Sequence, residues 1–188
     1  KASAKKIEIV DVPAMNFLLV DGKGNPNTSE RFQQGVEALF GLSYTMKFMI
    51  KKGDYQIDYG VLPLEGLWWA DNMAAFSVEK KSDWKWTAMI MQPEMVTDAL
   101  IAEAREQVRH KKKTDFVDEV RFEAYEEGRA VQILHIGPFE DEGPTIEKLH
   151  QFIDDSGYAR SRKHHEIYLS DIRRAAPEKW RTIIRQPF

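Results

Sequence analysis

The chain writes one layout twice. FLLVDGKGNPNTSERFQQGVEALFGLSY, from Phe17 to Tyr44, and VQILHIGPFEDEGPTIEKLHQFIDDSGY, from Val131 to Tyr158, share an order. Each runs through a β-like stretch, a glycine turn, a polar loop, an amphipathic helix and a closing Gly-x-x-Tyr or Gly-Tyr. Phe32, Val36, Leu39 and Phe40 recur at helical spacing in the first copy, and Ile146, Leu149, Phe152 and Ile153 in the second, so each helix has one apolar stripe to bury. Asn27, Thr28 or Ser29 suits the first N-cap, and Gly143-Pro144-Thr145 opens the second helix. Gly41 and Gly157 are the expected stops.

Two extended runs follow each helix: TMKFMIKK and YQIDYGVLPLEGLWW in the first half, HHEIYLSD and KWRTIIRQPF in the second. The unit is therefore strand, helix, strand, strand. WKWTAMIMQ, from Trp84 to Gln92, reads as a further strand of the first half. Pro93 or Thr97 starts a linker helix with Val96, Leu100, Ile101, Ala104 and Val108 on one side. Val117 to Gly128 alternates apolar and charged residues and reads as a hairpin arm feeding Val131 to Ile136. The expectation is one α+β domain over residues 1–188, with half one at about 5–92, the linker helix at about 93–113 and half two at about 114–188.

Composition narrows the function. Lys and Arg number 27 against 30 Asp and Glu, and a net charge of −3 argues against a domain whose task is neutralising phosphates, so no direct nucleic-acid contact is expected. The absence of cysteine removes disulfides, thiolate nucleophiles and zinc–thiolate sites. No apolar run approaches a membrane span or a signal peptide, and a cytoplasmic protein is the expectation. Nothing in the chain calls for a cofactor.

Several motifs in order resemble the GyrI-like small-molecule-binding proteins, relatives of the effector domains of multidrug-responsive transcription activators. They are VLPLEGLWW, W-x-W-T-x-M-I-M-Q-P, EEG-x-A-V-Q-I-L-H-I-G-P-F-x-D-E, and HHEIYLSDIRR followed by P-E-K-W-R-T-I-I-R, and the likeness spans roughly residues 5 to 188. The resemblance implies duplicated strand-helix-strand-strand modules related by a pseudo-two-fold, with a ligand cleft between them. It implies a glutamate on the late strand among aromatic rings, a position that Glu166 occupies. With no room for a helix-turn-helix ahead of Lys5, the chain is expected to be a free-standing member. Such members include proteins that hydrolyse cyclopropane-bearing, DNA-alkylating compounds.

Strand alternation puts His164, Glu166 and Tyr168 on one side and His165, Ile167 and Leu169 on the other. Glu166 and Tyr168 are thus the candidate catalytic pair, unless Glu166 is tied up by Arg173, Arg181 or Arg185. The two histidines point apart, so HHE is not a local metal triad, and no metal site is expected. Four of the five tryptophans sit in two strand-like stretches. Trp68, Trp69, Trp86, Tyr44, Glu65 and Phe139 are the candidate ligand contacts, an aromatic wall with a second carboxylate suited to flat lipophilic or cationic guests. His135 reads first as a half-buried strand histidine, and Met46, Met49, Met73, Met89 and Met91 as adaptable core. Two functions follow as alternatives, hydrolysis of an electrophilic cyclopropane or non-catalytic binding of cationic aromatics. The family name adds gyrase modulation as a third, and any protein partner is unknown.

Overall fold

The computed structural model describes residues 2–71 and 78–188, and Met73 lies outside them. It contains eight strands and three α-helices: β1 (Glu8–Val12), β2 (Met15–Lys23), α1 (Glu30–Lys52), β3 (Leu64–Trp69), β4 (Lys85–Met91), α2 (Asp98–Lys112), β5 (Arg121–Tyr125), β6 (Gly128–Ile136), α3 (Gly143–Asp155), β7 (His164–Tyr168) and β8 (Arg181–Pro187). The fold class is α+β. The duplicated order is present as β2-α1-β3-β4 and β6-α3-β7-β8.

The first copy departs from expectation after its helix. TMKFMIKK is not a strand but the last two turns of α1, which runs through Gly41 and ends at Gly53. Leu39, Leu42, Met46 and Ile50 are buried, and their spacing of three and four residues places them on one helical face. Ser29 is the N-cap, its hydroxyl accepting from the Phe32 amide at 3.2 Å. Gly157 does follow its helix as expected, in the left-handed region at φ +74°. Thr97 caps α2 by accepting from the Leu100 amide at 3.3 Å.

Pairing also redraws the grouping of strands. The chain divides into two compact units, one of Lys1–Ala14, Glu65–Trp69 and Glu126–Phe188, the other of Met15–Leu64 and Ala70–Tyr125. β1 precedes the first copy yet pairs antiparallel with β6, from Glu8 opposite Gln132 to Val12 opposite Gly128. β5 does not form the expected hairpin with β6; it pairs with β2, Met15 opposite Tyr125. Glu127, at the start of the segment that leads into β6, hydrogen-bonds His165 and Arg185 within the first unit.

In the first unit the strand order is β1-β6-β8-β7-β3. Helix α3 packs on β6 and β8, and Val131, Ile133, Leu149, Ile153 and Ile184 form its core. In the second unit β2 lies between β4 and β5, and α1 packs on β2, β4 and α2. Met46, Met89, Leu39 and Trp86 are among its fully buried side chains. Gly22 stands directly opposite Trp86, and a Cβ there would sit 2.1 Å from the indole, so the missing side chain lets the ring cross its neighbour strand.

Candidate functional site

β7 carries HHEIY at the side of β3, and alternation splits its five side chains between two faces. On one face the chain His164, Glu166, Tyr168 is hydrogen-bonded end to end. Tyr168 Oη donates to Glu166 Oε2 at 2.7 Å, and His164 Nε2 lies 3.1 Å from Glu166 Oε1. Trp68 reaches across from β3 and donates its indole N–H to Tyr168 Oη at 3.0 Å. Phe139, from the turn after β6, meets the Tyr168 ring edge-on at 5.6 Å, and Trp180 lies 4.8 Å from Phe139. The Glu166 side chain keeps 15% of its surface in contact with solvent. It is neither free in water nor sealed.

No lysine or arginine forms an ion pair with Glu166 among the described residues. Arg185 donates instead to Glu127 and Gln132, Arg173 to Asp171, and Arg181 is exposed. Burial and the adjacent Glu166 charge push the Tyr168 phenol well above its ordinary value, with Glu142 adding a further negative charge nearby. The phenol therefore stays protonated across the neutral range and acts only as a donor toward the carboxylate.

Gly66 makes the Trp68 contact possible. It precedes Trp68 by two residues on the same strand face, and a Cβ there would come within 2.7 Å of the indole nitrogen. Gly66→Ala is expected to push the ring off Tyr168, lowering stability by about 1–3 kcal/mol through strain and a lost buried hydrogen bond. Urea melts with tryptophan fluorescence as the signal measure both the loss and the displaced indole.

The opposite face of the same strand holds a second polar cluster. His165 is fully enclosed, its Nδ1 2.8 Å from Glu127 Oε1 and its Nε2 2.9 Å from Glu65 Oε2. Arg185 donates to Glu127 Oε2 at 2.7 Å and to Gln132 Oε1 at 2.9 Å. Burial alone would lower the His165 pKa, but the two carboxylates outweigh it and raise the value to about 9. Glu127, though buried, is held below its ordinary range by His165 and Arg185.

The structure thus brings together Glu166, Tyr168, Trp68 and Phe139 and leaves the other candidates elsewhere. Glu65 is committed to His165 on the far face, because β3 presents it with the strand parity opposite to Trp68. Trp69 shares that far face and lies under Lys163, whose ammonium is 3.4 Å from the ring centroid. Trp86 is 0% exposed in the second unit, edge-on to Phe32 at 4.9 Å, so its ring is spent on core packing and not on a wall. Tyr44 is half exposed on α1 and stacks beside Phe40. His135 is structural, bonded to Thr145 and the Pro138 carbonyl. Sequence reasoning did not assign a role to His164, although its two-residue offset from Glu166 was the available signal.

An α+β fold of two strand-helix-strand-strand modules, with a partly enclosed carboxylate among rings, defines a class of small-molecule-binding domain. The model of the GyrI-like small molecule binding domain matches residues 5–188, and the chain belongs to that family. An uncharacterized conserved protein from Listeria innocua is 41% identical, with 99% of this chain and 93% of that one covered and a TM-score of 0.90. A hydrolase from Listeria innocua is 42% identical, with 99% and 93% covered and a TM-score of 0.83. The C-terminal domain of EcmrR shares the fold at 13% identity, 97% and 96% coverage and a TM-score of 0.59. No curated protein shows significant similarity. Among the described residues no helix is long and apolar enough to cross a membrane.

Proposed function

We propose that the protein binds flat, lipophilic aromatic molecules beside Glu166 and hydrolyses electrophilic cyclopropane-bearing, DNA-alkylating compounds by water addition, protecting the cell. The observation that carries this is a carboxylate held by a phenol and an imidazole, with no ion-pairing lysine or arginine among the described residues. An ionised carboxylate has about four acceptor positions, so each oxygen keeps one for water. Its partners are oriented, and a base in such a setting needs little rearrangement to take a proton. Similarity to a hydrolase at 42% identity supports catalysis over binding alone.

In a cyclopropane conjugated to a dienone, the water oxygen attacks the ring methylene and the carbon–carbon bond breaks. Its electron pair runs to the carbonyl oxygen as the six-membered ring becomes a phenolate. Glu166 takes the proton of the attacking water, and the phenolate is protonated on leaving. Phe139, half-buried edge-on to Tyr168, supplies a ring for the flat guest, while the buried Trp68 indole holds Tyr168 in place. Tyr168 acts as an orienting group and not as the donor to the developing phenolate, because its single proton is on Glu166 and its oxygen accepts from Trp68.

The simplest spiro-cyclopropyl cyclohexadienone is the probe. Mass spectrometry after incubation is expected to show gain of one water, with the absorbance of a phenol replacing that of the dienone. A probe recovered unchanged, yet bound, makes the protein a sequestering module in which Glu166 is a counter-ion.

A further inference from the structure

Glu166 is gripped at both oxygens, and the residue that grips Oε1 is given no chemical role in the steps above. His164 sits two positions earlier on the same strand face, its side chain 4% exposed and its Nε2 3.1 Å from Oε1. At the other oxygen the direction of each hydrogen bond is forced. An indole N–H only donates, so Tyr168 Oη accepts from Trp68 and turns its own proton to Oε2. An ionised carboxylate only accepts, so the same logic places a proton on His164 Nε2. One anchor leaves the carboxylate free to rotate about the bond to its side chain; two anchors fix its plane and leave the outer lone pair of Oε1 in one direction.

We propose that His164 is a positioning residue, its Nε2–H holding Glu166 Oε1 so that the carboxylate plane faces the attacking water. This rests on the hydrolytic reading of the site, and the variants are chosen so that the two fail differently. Glutamine places an amide N–H near the position of Nε2, whereas leucine fills the volume without a donor.

Nitrogen-15 NMR of histidine-labelled wild-type protein tests the bond without any substrate. A proton on His164 Nε2, with or without one on Nδ1, supports the proposal, and a bare Nε2 overturns it. With the spiro dienone, His164→Leu is expected to lower kcat roughly 10- to 100-fold while KM changes less than about 2-fold, and His164→Gln to stay within about 3-fold of wild type. A His164→Leu variant as fast as wild type, or a His164→Gln variant as slow as leucine, overturns the role. If Glu166→Gln is slow while His164→Leu is not, only the role of His164 is lost. If Glu166→Gln turns over normally, Glu166 is not the base and the role of His164 falls with it while hydrolysis stands; a probe recovered unchanged from wild type overturns the hydrolytic reading itself.

Discussion

Replacing Glu166 by Gln is expected to slow opening of the spiro dienone by about 10²- to 10⁴-fold while leaving affinity for neutral flat ligands nearly unchanged. The substitution keeps the shape and removes the proton-accepting charge. It also keeps the local bonds, because the amide oxygen can take the Tyr168 proton while His164 changes tautomer and accepts from the amide N–H. A loss of turnover therefore reports the missing base and not a collapsed site. Cationic ligands should weaken in the same variant, since a partly enclosed negative charge has gone. Single-turnover rates together with fluorescence titration of a neutral and a cationic aromatic measure the two effects separately. Unchanged turnover removes Glu166 from the chemistry.

The largest effect on stability is expected on the other face of the same strand. His165→Leu withdraws the donor that Glu65 and Glu127 meet at 2.9 and 2.8 Å, leaving buried carboxylate oxygens without it. Breaking a buried charged pair from one side costs about 3–5 kcal/mol, a large share of the stability of a domain this size. Urea denaturation at neutral pH checks it.

The same histidine predicts how stability varies with pH. Its folded value of about 9 lies above its ordinary 6.5, so the native state holds a proton that the unfolded chain releases. That contribution is complete below about pH 6.5 and is lost as pH rises through about 9, roughly 3 kcal/mol over the window. Glu127 acts in the opposite sense: its lowered value adds stability above the ordinary carboxylate range that disappears on acidification. Wild type should be most stable in mildly acidic solution, and the alkaline decline should be absent in His165→Leu. A decline that persists in the variant assigns it to other groups.

Legibility followed the range of the interaction. The split of HHEIY into two faces was readable because strand alternation is set by neighbouring residues alone. The length of α1 was readable too but misassigned: Met46, Phe48 and Ile50 alternate as a strand would, while Leu39, Leu42, Met46 and Ile50 hold the helical period that burial selects. Gly41 failed as a stop because a mid-helix glycine costs only about 1 kcal/mol, less than the burial of the turns beyond it.

By itself the amino-acid order determined the repeated unit, an N-cap among Asn27, Thr28 and Ser29, the linker helix and the shared side of His164, Glu166 and Tyr168. Only the tertiary structure decided that Trp68 would meet Tyr168, that Glu65 would be taken by His165, that Trp86 would be core and that β5 would pair with β2. Each of these joins residues far apart in the chain, the first two a hundred positions apart. No local period encodes such partners, because they are chosen by which strands lie side by side and by how buried polar groups must satisfy one another once they do.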